Sequence, residues 1–84
     1  MKITVKYFSW VRVKIQKSHD HFEFPDIITF SKLKKELINK NSFYDEIFKD
    51  SSVKFFLNLK EIADENILIN DGDEIALLPP VTGG

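Results

Sequence analysis

The feature that most constrains this chain is a change of hydrophobic period, from two to about 3.6 and back to two. Ile3, Val5 and Tyr7 share one face while Lys2, Thr4 and Lys6 share the other, the pattern of a half-buried strand. From Thr29 the spacing turns helical. Phe30, Leu33, Leu37 and Ile38 form an apolar stripe, and Lys32, Lys34, Lys35 and Glu36 face water. Alternation returns with Val53, Phe55, Leu57 and Leu59 on one face and Phe56 and Asn58 on the other, then again at Ile75 and Leu77. Strands before and after a single long helix predict an α+β domain: one mixed sheet of four to five strands with the helix packed across it.

The punctuation agrees. Thr29 or Ser31 can cap the helix and Asn39 to Asn41 can end it. Ser42, Phe43, Tyr44, Ile47 and Phe48 suggest a second, short helix, with Ser42 and Asp45 spaced as a capping box. Residues 8–16 satisfy two templates. Val11, Val13 and Ile15 alternate as a strand would, whereas Phe8, Val11 and Ile15 fall at helical spacing. His19 to Phe24 is a further short run, closed by Pro25, and Asp71-Gly72 is a turn signal before the last strand. This order is that of the β-grasp, or ubiquitin-like, arrangement.

With 84 residues the chain makes one thin-cored domain, and a hydrophobic fraction of 43% with eight phenylalanines suffices for it. Cysteine is absent, so disulfides, thiolate nucleophiles and thiolate metal sites are excluded. A formal charge of −1 gives no reason to expect a nucleic-acid partner. The absence of a long apolar run argues against a signal peptide or a membrane span, so a soluble cytoplasmic protein is expected. The expected division is a folded domain over residues 1–78 and an extended tail over 79–84.

That tail, Pro79-Pro80-Val81-Thr82-Gly83-Gly84, directly follows the last strand. Neither proline can donate to a sheet ladder, and each holds φ near the polyproline value, so the chain must leave the sheet here. Six residues at about 3.1 Å each reach on the order of 20 Å. Gly83 and Gly84 carry no side chains and can enter a narrow tunnel. Such a tip points to chemistry at the carboxylate of Gly84. A carboxylate is a poor electrophile, so acyl transfer there requires activation, for instance as a mixed anhydride with a nucleotide. The sequence has no glycine-rich phosphate loop of its own, so another enzyme must supply that step.

The block from Asp71 to Gly84 resembles the C-terminal signature of the small, sulfur-carrier subunit of molybdopterin synthase. Tyr7-Phe8-Ser9 with Val11-Arg12 resembles that family's aromatic opening, and Asn58 stands where the family has an asparagine. The resemblance implies a β-grasp fold and no catalysis by the chain alone. It implies adenylation of Gly84 by a ubiquitin-activating-type enzyme that uses ATP, then conversion to a thiocarboxylate. Inside the large synthase subunit, sulfur would pass to cyclic pyranopterin monophosphate, in a heterotetramer of two small and two large subunits. Pro80, Val81, Thr82 and Gly83 would then occupy the partner's tunnel, and Phe8 and Leu78 would belong to an apolar docking patch. One departure stands out: the family has a glycine that ends a first short helix, and here none precedes His19. A helix near Ser9 to Gln16 is still expected.

Other residues carry weaker signals. His19, Asp20 and His21 could bind a metal, but no fourth ligand stands at suggestive spacing, so the trio reads as a solvated loop and no metal site is expected. Phe56 is either an exposed anchor for a partner or a residue under the short helix. Asp71, Asp73 and Glu74 could read as a catalytic acid pair, but a turn before a strand explains the two aspartates better. Arg12 could pair with a partner's acidic group or with a neighbouring glutamate. Competing functions are a sulfur carrier for thiamine or tRNA thiolation, a ubiquitin-like modifier joined to lysines, and an inert interaction domain.

Overall fold

The computed structural model describes residues 1–79. In chain order the elements are β1 (Lys2–Tyr7), α1 (Ser9–Ile15), β2 (His19–Glu23), β3 (Ile28–Thr29), α2 (Phe30–Lys40), α3 (Phe43–Lys49), β4 (Lys54–Leu57), β5 (Lys60–Glu61), β6 (Leu68–Ile69) and β7 (Glu74–Leu78). Five strands form one sheet in the order β2-β1-β7-β4-β5, while β3 and β6 pair as a separate ribbon. The central β1–β7 pair is parallel and the other pairs are antiparallel, so the sheet is mixed, as the period changes predict. This is the β-grasp. Its core joins Ile3, Val5 and Tyr7 of β1 and Ile75 and Leu77 of β7 to Phe30, Leu33 and Leu37 of α2.

The ambiguous segment after β1 is a helix. Val11 is fully buried and Ile15 packs against the core, so the four-residue spacing is the one the core uses. Gln16 closes α1 in the left-handed region (φ 67°), and its amide donates to the Arg12 carbonyl at 2.8 Å. The helix thus ends as a glycine would end it, with a side chain carried in a conformation that disfavours one. Ser9, at the other end, also has positive φ (55°).

Thr29 caps α2 as expected, its Oγ1 accepting from the Lys32 amide at 3.2 Å. The expected capping box of α3 does not form. Ser42 already has helical angles (φ −60°, ψ −20°) and makes no side-chain cap. The Asn41 side chain accepts from the Phe43 amide instead, at 3.0 Å. The expected place of Leu59 in the alternating strand is also overturned. Leu57 pairs with Lys60, leaving Asn58 and Leu59 as a two-residue hairpin turn with φ of 48° and 73°. Leu59 is 85% exposed in that turn.

Two hydroxyls lock α3 to the sheet. Tyr7 Oη donates to Asp20 Oδ2 at 2.8 Å and is hydrogen-bonded to Tyr44 Oη in the core. Burial, the first cause for both, pushes the Tyr7 phenol well above its ordinary range and Tyr44 up to about 12.

Candidate functional site: the outer sheet face at the exit of the last strand

Strand alternation divides β7 between two surroundings. Ile75 and Leu77 are buried under the helices, while Glu74, Ala76 and Leu78 face the other way and are half-buried. Register sets their neighbours. Lys6 lies beside Ala76 and Phe56 opposite it, and Lys54 lies opposite Leu78. Because β1 and β7 run parallel with Tyr7 beside Leu77, both chains reach the same end of the sheet, where Phe8 and Leu78 follow. Phe8 is 40% exposed, at the N-cap of α1, and Trp10 two residues on is 37% exposed.

The two docking residues expected from sequence are therefore brought to one end of one face. Phe56 belongs to the same face and does not lie beneath the short helix. Sequence reasoning did not single out Ala76 or Lys54 for this surface. Their membership depends on strand register, which pairs residues of no fixed sequence separation. Pro79 follows β7 and is buried. Pro80, Val81, Thr82, Gly83 and Gly84 lie outside the described residues.

Electrostatics frame the strip. Lys54 stands opposite Leu78 in the register, and Lys6 pairs with Glu74 at 3.2 Å. Farther along, the start of β7 is tied down by backbone and side-chain bonds. Asn58 Nδ2 donates to Asp73 Oδ1 and its Oδ1 accepts from the Glu74 amide, each at 2.9 Å. Asp73 Oδ2 accepts from the Asn70 amide at 2.7 Å, and Asp71 Oδ1 accepts from the Lys2 amide at 2.6 Å. Gly72 takes φ +84° between them, which completes the turn. The two aspartate carboxylates are thereby engaged in the turn, in agreement with their reading as turn residues, while Glu74 opens β7 and pairs with Lys6.

Arg12 makes no ion pair among the described residues, and no group of three His, Asp or Glu there could hold a metal ion. No helix among them is long and apolar enough to cross a membrane. What this face offers is an apolar strip bordered by Lys54 and by the Lys6–Glu74 pair, at the end of β7.

A mixed sheet of this order, gripping a helix, defines a ubiquitin-like β-grasp domain. The sequence matches the ThiS family over residues 5–84, and the chain belongs to that family of small sulfur carriers. Solved structures share the fold. A protein described as molybdopterin converting factor, subunit 1, from Pyrococcus furiosus superimposes with a TM-score of 0.81 at 23% identity, covering 96% of this chain and 99% of that one. SAMP1 from Haloferax volcanii gives 0.82 at 20% identity, with both chains fully covered. The complex of subunits 1 and 2 of the molybdopterin-converting factor from Helicobacter pylori gives 0.70 at 25% identity, again over the whole of both chains. Among curated protein sequences, none matches.

Proposed function

We propose that this chain is the sulfur-carrying small subunit of a molybdopterin synthase. The observation that carries the sulfur-carrier reading is the family match, which runs through Gly83 and Gly84; the double proline before Val81 favours the molybdopterin branch. The similarity to the Helicobacter pylori subunit complex supports a large-subunit partner. In this reading the Gly84 carboxylate attacks the α-phosphorus of ATP on a ubiquitin-activating-type enzyme and pyrophosphate leaves. A sulfide-level donor then displaces AMP from the acyl adenylate, leaving a thiocarboxylate. The strip around Phe8 and Leu78 docks on the large subunit, in a heterotetramer of two small and two large chains. Pro80, Val81, Thr82 and Gly83 thread its tunnel, and sulfur passes to cyclic pyranopterin monophosphate. The protein contributes position and a strippable sulfur; activation and pterin chemistry belong to its partners.

Intact-mass spectrometry after incubation with ATP, a sulfur source and the host's activating enzyme tests the carrier step. A mass gain equal to exchanging one oxygen for sulfur, lost on deleting Gly84, is expected. Lysine conjugates without that gain would instead identify a protein modifier. Production of molybdopterin from cyclic pyranopterin monophosphate with the large subunit then separates this pathway from thiamine or tRNA thiolation.

A further inference from the structure

The trio His19-Asp20-His21 is a strand rather than a loop, and the strand sorts it. Asp20 points inward, where it accepts from Tyr7 and pairs with Lys17 at 2.9 Å. His19 and His21 point outward together and are both exposed. Their ring centroids stand 5.1 Å apart. Each Nδ1 is already engaged with a hydroxyl: His19 with Ser18 Oγ at 2.8 Å, and His21 with Thr4 Oγ1 at 3.0 Å.

We propose that His19 and His21 form a two-imidazole site for a borderline divalent transition-metal ion, with zinc the best fit. Three features carry it. Two imidazoles bound to one tetrahedral ion at about 2.0–2.1 Å place their centroids about 5 Å apart, which is the separation found here. In the tautomer protonated at Nδ1, each ring would donate to its hydroxyl and leave the Nε2 lone pair free for an ion. This is the arrangement in which metal-ligating histidines are held by their surroundings. The site also lies on an edge strand, so nothing in the sheet covers it. Four-coordinate zinc would keep about two positions for water or for a donor from a docked protein.

Its place on the fold matters. His19 lies beside Lys6, and Lys6 beside Ala76, so the pair occupies the same outer face as the apolar strip. Two strand spacings put it about 10 Å from β7. A partner docked on the strip would meet the ion at its border. This site stands independently of the sulfur-carrier proposal, since it needs neither the tail nor an activating enzyme.

These are the chain's two histidines, and it has no cysteine, so an imidazole signal has one origin. Zinc chloride titrated into the full chain, followed by calorimetry and by the imidazole proton resonances, should show saturable binding of one ion per chain. Both rings should shift. Either His19→Gln or His21→Gln should weaken binding about tenfold or more, and Ser18→Ala or Thr4→Val by a smaller factor. Thermal melts matching the parent protein confirm that the variants fold. Absence of saturable binding, or affinity unchanged in the double His→Gln variant, would overturn the site. A ratio of two chains per ion would refute a site complete within one chain.

Discussion

Replacing Gln16 by glycine should stabilise this protein, although it puts glycine at a helix end. Gln16 holds φ at 67° because its amide must reach the Arg12 carbonyl to close α1. A left-handed conformation costs a residue with a Cβ roughly 1–2 kcal/mol, and glycine escapes that cost. Against this, glycine gains freedom in the unfolded chain, which subtracts about 0.5–1 kcal/mol. The Gln16 side chain is exposed and makes no hydrogen bond among the described residues, so little contact is lost. The balance is a gain of about 0.5–1 kcal/mol. For a domain of this size that is a rise in Tm of roughly 2–6 °C. Urea denaturation should show a higher midpoint with an unchanged slope, because the buried surface does not change. Gln16→Ala is the control, keeping the Cβ and therefore the strain. A Gln16→Gly variant no more stable than Gln16→Ala would refute the argument, and would mean that the backbone at α1 relaxes without help from glycine.

The two core tyrosines should differ. Tyr44→Phe leaves Tyr7 its acceptor on Asp20 and should cost about 1 kcal/mol, whereas Tyr7→Phe strands both partners and should cost about 2–3 kcal/mol by chemical denaturation. Both phenols are raised in the folded state, so their contribution is complete below the unfolded value near 10 and is lost as pH climbs towards about 12. Stability should fall there by about 1.4 kcal/mol per pH unit for each tyrosine, and a flat profile between pH 10 and 12 would contradict the burial argument. Asn58→Ala should destabilise by about 2 kcal/mol through two lost hydrogen bonds and a strained turn, while Leu59→Gly should stabilise by up to about 1 kcal/mol; paired melts check both. Phe8→Asp or Leu78→Asp should weaken binding to the large synthase subunit at least tenfold in a calorimetric titration, since an interfacial carboxylate loses water without gaining a partner. Unchanged affinity in a folded variant would exclude this strip as the docking surface.

Sequence alone determined the class of fold, because burial periodicity is a local property. Ile3, Val5 and Tyr7 must share a side if they form a strand, and Phe30, Leu33 and Leu37 must share a stripe if they form a helix, whatever surrounds them. The family was legible for the same reason: its signature from Asp71 onward is contiguous. Tertiary structure decided whatever depends on pairing across the chain. It chose helix over strand for residues 9–15, since only there do Val11 and Ile15 both meet the core. It moved Leu59 out of β4 by closing a two-residue turn, and it supplied β5, β3 and β6, which are too short to announce themselves by period. Lys54, Ala76 and Phe56 joined Leu78 on one face only through register. A strand turned Asp20 inward and left His19 and His21 side by side outside, dividing a trio that reads as a loop in sequence into a half-buried hydrogen-bonded carboxylate and an exposed imidazole pair. Which side chains share a surface is settled by the contacts between strands, and those are not written in the order of residues along any one of them.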